Sequence, residues 1–180
     1  HTLVAALPPA SASLANHDSS GRHLPLHFGY HPSNIQAMFH RLAHTRLLEA
    51  ATRFPAVAIL GARQVGKTTL ARTAFPGFAY ADLEDPRTAD RFRDDARFAL
   101  DHAGAQGLIL DECQAVPGVF AALRGAIDAR RSENGRFVIL GSAQPALVRG
   151  IAESLAGRVA VIDLDPLTAS EVTTGDVPQD

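Results

Sequence analysis

The stretch ILGARQVGKTTL, residues 59–70, has the spacing of a loop that binds phosphate groups. Gly61, four further residues, Gly66, Lys67 and Thr68 satisfy the pattern G-x-x-x-x-G-K-[ST]. We expect Gly61 to let the chain leave a strand through dihedral angles that a side chain would forbid. Gly66 would leave room for the backbone to approach phosphate oxygens. Successive N–H groups would then form an anion-binding nest at the N-terminus of a helix.

The side chains of this loop predict a nucleotide accompanied by a divalent cation. Lys67 would reach the β- and γ-phosphates as a point charge, and the Thr68 hydroxyl would ligate Mg²⁺. Lys67 is also the only lysine of the chain, whose other basic residues are arginines. The alternative is a glycine-containing turn between a strand and a helix. The predicted nucleotide-binding residues are Gly61, Ala62, Arg63, Gln64, Val65, Gly66, Lys67, Thr68 and Thr69.

A pair of carboxylates follows the apolar run LIL at 108–110. Asp111 would hold Mg²⁺ together with Thr68, either directly or through water. Glu112 beside it suits a general base, or a group that orients an attacking water. The alternative is that both residues end a strand and cap the next turn.

Other polar residues near predicted strand ends are weaker candidates. Ser142, in LGSAQP, could touch the γ-phosphate or position water, although a serine there is also typical of a turn or a helix cap. Asp82 and Glu84 could line the same crevice, but a solvated turn is the simpler interpretation. Cys113 has no histidine partner near it in the sequence, so we expect a small buried residue there.

Hydrophobic periodicity from residue 38 onward predicts strands that alternate with helices. The strands are expected at 57–60, 78–83, 107–112, 136–141 and 158–164. The helices are expected at 38–52, with Phe39, Leu42, Ala43 and Leu47 on one face, at 69–75, from Asp85–Pro86 to His102, around 120–127, and around 147–155. Short apolar strands separated by helices indicate an α/β fold, in which a parallel sheet is covered on both faces. Ligands of such sheets bind beyond the carboxyl ends of the strands, where the phosphate loop, the acidic pair and Ser142 all fall.

Composition excludes several classes of protein. The 180 residues suffice for one domain with a substantial core, and 46% of them are apolar. The net charge of −2 gives no support to nucleic-acid binding. No apolar run reaches the ~18 residues that cross a bilayer. A single cysteine fits a reducing compartment, so a cytoplasmic location is expected.

Residues 1–37 differ from the rest of the chain, being rich in Pro, Ser, His and Gly without a stable period. This composition predicts loop or disorder, or an upstream segment, with the only methionine, Met38, as the natural start. His23, His27 and His31 have helical spacing for a metal, but Pro25 and other breakers interrupt any helix there, so an incidental cluster is expected.

The chain resembles the AAA+ branch of P-loop ATPases, and more narrowly a prokaryotic family in which the ATPase domain precedes a C-terminal domain of unknown function. The resemblance extends over about residues 38–171. Its stretches are GARQVGKTTLAR, LEDP, LILDECQ, VPGVFAALRGAID, GRFVILGSAQPAL and ESLAGRVAVIDLDPLTASE. It implies a P-loop three-layer sandwich with a sheet of order 5-1-4-3-2.

The resemblance also implies roles for individual residues. Asp111 would be a metal ligand, Glu112 the catalytic carboxylate and Ser142 the sensor on the fourth strand. Arg158, directly before the fifth strand, would be an arginine finger donated to the γ-phosphate in a neighbouring subunit of a homo-oligomer. Its alternative is a surface ion pair with an acid such as Glu153, and Arg149 is a second candidate for the finger.

The sequence departs from the family pattern in two respects. Gln144 stands where the family often has a small hydroxyl residue. The expected C-terminal domain is missing, so residues 172–180 would begin a linker to it. The domain predicted to bind nucleotide is therefore 38–171.

Three functions are compatible with these features. The first is an ATP-binding ATPase that uses Mg²⁺ and drives or switches an attached domain or an unknown protein partner. The second is a small-molecule or nucleotide kinase, for which the arginine-dense stretch 85–98 could supply a lid. The third is a nucleotide-dependent switch or scaffold that does not hydrolyse its ligand.

Overall fold

The structure is a computed structural model, and it describes residues 41–102, 104, 106–169 and 171. The predicted N-terminal segment 1–37, Met38 and the three spaced histidines lie outside these residues, as does the predicted linker at 172–180. The assignment of 38–171 as one nucleotide-binding domain stays a prediction.

Within the described residues, five strands and five α-helices follow one another as the hydrophobic pattern predicts. The strands are β1 (Ala56–Leu60), β2 (Ala79–Asp82), β3 (Leu108–Asp111), β4 (Phe137–Gly141) and β5 (Val159–Asp163). The helices are α1 (Leu42–Arg53), α2 (Lys67–Ala74), α3 (Pro86–Asp101), α4 (Val119–Asp128) and α5 (Pro145–Ser154). One turn of 3₁₀-helix, Cys113–Ala115, follows β3.

The strands form one parallel sheet of order β2-β3-β4-β1-β5. Read from the other edge, this is the predicted order 5-1-4-3-2, which is confirmed together with the α/β fold class. Because all strands run in the same direction, the carboxyl ends of β1, β3 and β4 meet at one edge of the sheet. That edge carries the phosphate loop, the acidic pair and Ser142.

Side chains alternate between the two faces of the sheet, so each face carries its own apolar core. On one face Ala58 and Leu110 pack with α3, α4 and α5, through residues such as Phe92, Leu123 and Leu147. On the other face Val57, Ile59, Ile109, Val138 and Leu140 pack with Leu47 of α1 and Leu70 of α2. The two layers of helices hold the central strands rigidly, and with them the loops that leave their carboxyl ends.

Two details of the helices differ from the prediction. In α1 the buried face contains Ala43 and Leu47, but Leu42 is 66% exposed and does not share it. Helix α3 begins as predicted, with Asp85 as its N-cap and Pro86 in its first turn, yet it is interrupted at Asp95. There the backbone leaves helical geometry, and the Asp95 carboxylate accepts the N–H of Phe98, as an N-cap would do.

Among the residues described, no helix is both long and apolar enough to span a lipid bilayer.

Candidate functional site

A cavity of about 450 Å³ lies at the carboxyl edge of the sheet, between the phosphate loop and the end of β3. Its lining combines basic, hydroxyl and acidic groups, contributed by Arg63, Gln64, Gly66, Lys67, Thr68, Thr69, Asp82, Glu84, Asp111 and Glu112. Most of the residues predicted from the two motifs therefore meet in one place. Asp82 and Glu84, for which a solvated turn was the preferred interpretation, line the cavity as well. They also form a turn, since the Asp82 carboxylate accepts the N–H of Glu84.

The two glycines of the loop are required for different reasons. Gly61 is not in the left-handed region; it is required because a Cβ there would collide with the carbonyl oxygen of Leu164 and lie 3.1 Å from Cγ1 of Val65. A Cβ at Gly66 would lie 3.8 Å from Nη1 of Arg41, an ordinary contact distance, but the φ of Gly66 is 97°, which a side chain adopts only with strain. The first glycine thus permits a close approach, and the second permits the left-handed backbone that begins α2.

Lys67 is nearly buried, with 6% of its surface exposed, and its ammonium lies within the phosphate loop. Its Nζ donates to the carbonyl oxygens of Gly61 and Ala62, at 3.0 and 2.8 Å. A buried ammonium needs such partners because desolvation without them is costly. The loop therefore holds one positive charge at its centre, beside the N-terminus of α2.

Asp111 connects the acidic strand to the phosphate loop. Its Oδ2 accepts the hydroxyl of Thr68 at 2.7 Å and the hydroxyl of Tyr80 at 2.8 Å, and its Oδ1 accepts the N–H of Glu112 at 3.0 Å. Asp111 and Thr68 therefore lie side by side, as the proposed metal site requires. A carboxylate and a hydroxyl at this separation are oxygen donors of the type that Mg²⁺ prefers, and Mg²⁺ typically completes its shell with substrate phosphates and water.

Tyr80 is a member of the site that the sequence did not reveal. It lies on the edge strand β2, and its ring is stacked on the guanidinium of Arg72, whose Cζ is 3.9 Å from the ring centroid. Partial burial and the bond to Asp111 both raise the pKa of Tyr80, so the phenol stays protonated and donates to the carboxylate. Its hydroxyl thereby fixes the orientation of Asp111.

Glu112 stands in a left-handed backbone conformation, with φ 50° and ψ 48°. For a residue with a branched or long side chain this geometry costs about 1–3 kcal/mol and often marks a functional site. The Glu112 carboxylate accepts a hydrogen bond from the amide nitrogen of Gln114. The strained backbone and Gln114 together direct this carboxylate at the cavity, which it lines.

Ser142 follows β4 and is 8% exposed. Within the part of the chain that the structure describes, its hydroxyl oxygen has no hydrogen-bond partner, and neither does Oε1 of Gln114. The Gln114 oxygen lies beside Gly141, where a Cβ would be 2.8 Å from it. Buried polar atoms without partners are rare in folded proteins and call for a ligand or water. Ser142 does not itself line the cavity, so its role as a sensor stays a prediction.

Arg158 directly precedes β5, so it lies at the amino ends of the strands, opposite to the cavity. Its Nε and Nη2 donate to both carboxylate oxygens of Asp128, at 2.9 and 3.0 Å, and its Nη1 donates to the carbonyl of Ala156. The ion pair therefore involves Asp128, whose pKa it lowers, and not Glu153. Arg149 is exposed on α5, and Gln144 is the N-cap of that helix. The role of Arg158 in a neighbouring subunit stays a prediction.

Cys113 is fully buried under the acidic pair, as expected for a core residue. Its burial, together with the charges of Asp111 and Glu112, raises the pKa of the thiol, which disfavours the nucleophilic thiolate form.

Comparison with known proteins agrees with this geometry. The family model described as "AAA domain" matches residues 53–173. The uncharacterized proteins Mb2031c of Mycobacterium bovis and Rv2008c of Mycobacterium tuberculosis are each 40% identical to the chain over 171 residues. That match takes in 92% of this chain but only 36% of each relative. With the family match, the five-stranded parallel sheet and the phosphate loop in agreement, the chain belongs to the AAA family of P-loop ATPase domains.

Proposed function

We propose that this chain binds ATP with Mg²⁺ in the cavity at the carboxyl edge of the sheet and hydrolyses it. The observation that carries the proposal is the 2.7 Å contact between Thr68 of the phosphate loop and Asp111 of β3. This contact brings the phosphate-binding and acidic motifs into one cavity, which Glu112 also lines. Adenine is proposed over guanine because of the family, and a cytoplasmic location is supported by the single buried cysteine.

Each residue of the cavity would have a distinct task. Lys67 would neutralise charge on the transferred phosphoryl group, since a desolvated ammonium is most effective where water is excluded. Thr68 and Asp111 are the residues that would hold Mg²⁺, which when bound supplies positive charge to the β- and γ-phosphate oxygens. Glu112 would accept the proton of the attacking water, and Gln114 would keep its carboxylate in position. The Ser142 hydroxyl, which has no hydrogen-bond partner among the described residues, would bind that water or a γ-phosphate oxygen.

The proposal is tested by phosphate release from Mg-ATP at several protein concentrations, with Glu112→Gln as the control. Release that requires Glu112 supports an ATPase, and specific activity that rises with concentration supports a site completed by a second subunit. Tight binding of ATP without any turnover would identify a switch or scaffold. Transfer of the phosphoryl group to an added acceptor in place of water would identify a kinase. The ATP would be used to drive or switch an attached domain or protein partner.

Replacement of Tyr80 by Phe is expected to weaken Mg²⁺ binding, so that the reaction requires a higher Mg²⁺ concentration. The variant keeps the ring over Arg72 but removes the hydroxyl that orients Asp111. Loss of such a supporting hydrogen bond typically costs about 10- to 100-fold in metal affinity, and we expect the lower end because Asp111 keeps two other donors. The measurement is the Mg²⁺ concentration at half-maximal phosphate release. An unchanged midpoint would show that Tyr80 has only a packing role.

Arg158→Ala tests the proposed contribution of a second subunit. If the guanidinium completes a neighbouring site, turnover should fall by about 10³-fold while ATP affinity is unchanged. Mixing this variant with Lys67→Ala should restore activity, because each chain then supplies what the other lacks. Asp128→Asn is the matched control, since it breaks the ion pair and keeps the guanidinium. Full activity of Arg158→Ala alone would show that Arg158 forms only a surface ion pair and does not act in a neighbouring site.

A further inference from the structure

Arg41, the residue before α1, joins three parts of the chain that are distant in sequence. Its Nη1 donates to the carbonyl of Val65 in the phosphate loop at 3.2 Å, and its Nη2 donates to the carbonyl of Asp165 after β5 at 2.6 Å. Its Nε lies 3.3 Å from a carboxylate oxygen of Glu171. The guanidinium thus donates two hydrogen bonds, to the two carbonyls, and forms an ion pair with Glu171, in which its Nε makes no hydrogen bond within the described residues.

The contact with Val65 determines how the phosphate loop presents its backbone. In a planar trans peptide, the C=O of one residue and the N–H of the next point in opposite directions. Because Arg41 holds the carbonyl of Val65, the N–H of Gly66 must point away from Arg41. Gly66 lines the cavity and is the N-cap of α2, so Arg41 helps to fix an N–H group in the proposed phosphate nest.

Glu171 anchors the other end of the arrangement. Its Oε2 accepts the N–H of Thr168 at 2.9 Å, and the Thr168 hydroxyl lies 3.4 Å from the N–H of Glu171, which is a capping box. Its Oε1 also accepts the N–H of Leu42 at 2.9 Å, so Glu171 caps the N-terminus of α1 as well. The bonds from Thr168 and Leu42 lower the pKa of Glu171, which keeps the buried carboxylate charged.

The segment 164–171 also touches the start of the phosphate loop. The N–H of Leu164 donates to the carbonyl of Leu60 at 2.7 Å. The carbonyl of Leu164 lies so close to Gly61 that no Cβ could be accommodated there. The segment therefore contacts the loop directly at Gly61 and, through Arg41, at Val65. A shift of the loop at Gly61 or at Val65 should therefore displace this segment, because the atoms at both contacts are closely packed.

We propose that Arg41 is a positioning residue of the phosphate loop, and that its ion pair with Glu171 couples nucleotide occupancy to the position of segment 164–171. The inference rests on the proposed binding of ATP, and it states which part of the chain would move or become ordered when ATP binds. Coupling of this kind is reciprocal, so a change at Glu171 must alter ATP affinity although its carboxylate does not touch the loop.

Hydrogen exchange of the whole 180-residue chain, with and without Mg-ATP, tests the coupling. In the wild type, ATP should slow exchange both in the phosphate loop, residues 61–69, and in segment 164–171. In Arg41→Gln and Glu171→Gln the loop should still be protected, but the ATP-dependent protection of 164–171 should be lost. The affinity for ATP should fall by about 3- to 10-fold in each, the size of one hydrogen bond of ordinary strength, because neither side chain would touch the nucleotide itself.

Further variants separate coupling from a general loss of stability. The double variant should bind ATP no more weakly than Arg41→Gln alone, because the two residues act through one ion pair. Arg41→Lys keeps the charge but not the fork, so it should remain folded and still lose protection in 164–171. Arg93→Gln, in an exposed ion pair with Asp90, should leave both ATP affinity and exchange unchanged.

Three results would overturn the inference. ATP that protects 61–69 but not 164–171 in the wild type would refute the coupling and leave the proposed function intact. If the Arg41 and Glu171 variants bind ATP as tightly as the wild type and show the same ATP-dependent protection, the ion pair has only a structural role. Absence of ATP binding to the wild type would refute the proposed function, and the coupling with it.

Discussion

The Glu112→Gln variant is expected to bind Mg-ATP as the wild type does and to release phosphate about 10²- to 10⁴-fold more slowly, the range that general-base catalysis contributes. An amide has nearly the same size as the carboxylate but cannot accept the proton of the attacking water. The fold should be preserved, because the Glu112 side chain is at the cavity and its main hydrogen bond is to the neighbouring Gln114.

The matched control for this variant is Glu84→Gln, which changes another carboxylate of the same cavity. Glu84 is paired with Arg63 at 3.0 Å and is half exposed, so it is not placed as a base. Single-turnover rates and ATP affinity should be measured for both variants. Equal loss of rate in the two would attribute the effect to the charge of the cavity, and no loss in Glu112→Gln would remove Glu112 from the mechanism.

Replacement of Lys67 by Met is expected to weaken ATP binding by about 10- to 100-fold, the value of one charge-assisted hydrogen bond to a phosphate. Met keeps the unbranched stem of the side chain and removes the ammonium that lies inside the phosphate loop. Turnover at saturating ATP should fall as well, because the same charge would stabilise the transition state.

The Lys67 result can be separated from an effect on folding. The carbonyls of Gly61 and Ala62 lose their donor in this variant, so its thermal midpoint must be measured in the absence of nucleotide. Thermal stabilisation by Mg-ATP then reports binding in the wild type and its loss in the variant. Binding within about twofold of the wild type would exclude the ammonium as a phosphate ligand.

The sheet could be predicted because its strands are short, apolar and separated by amphipathic helices. The residues of β1 are all buried between two layers of helices, and a continuous apolar run such as AVAIL is typical of that environment. The exposed Leu42 shows the limit of periodicity at a helix end. The N–H of Leu42 at that end donates to the distant Glu171 carboxylate, a long-range cap that the apolar pattern of α1 does not reveal.

The two motifs located the cavity, but not the side chains that support it. Tyr80 and Arg41 reach the site through tertiary contacts, which no spacing in the sequence encodes. Gln114 is only two residues from Glu112, but its residue type alone does not predict that its side chain bonds to that carboxylate. One local signal was available: Thr168 and Glu171 have the spacing of a capping box, which predicts a helix start at that point. Its further contact with Arg41 could be seen only in the fold.

The glycines of the phosphate loop show the same limit. Both are required by the motif, yet the sequence does not say whether a glycine serves dihedral freedom or close packing. Gly61 is packed against Leu164, a residue of the segment after β5, and only the fold brings these two together. This contact is also one of the two that connect the loop to segment 164–171.

The most direct test of the account is a single-turnover reaction in which the protein is in excess over γ-labelled ATP and Mg²⁺ is present. Because each ATP molecule is then bound and reacts once, the measured rate is that of the chemical step. It does not depend on the release of products or on the exchange of bound for free nucleotide. The account predicts conversion to ADP and labelled phosphate by the wild type, and retention of bound ATP by Glu112→Gln purified in the same way. Equal phosphate release by both proteins, or bound ATP that neither protein hydrolyses, would contradict the proposed ATPase.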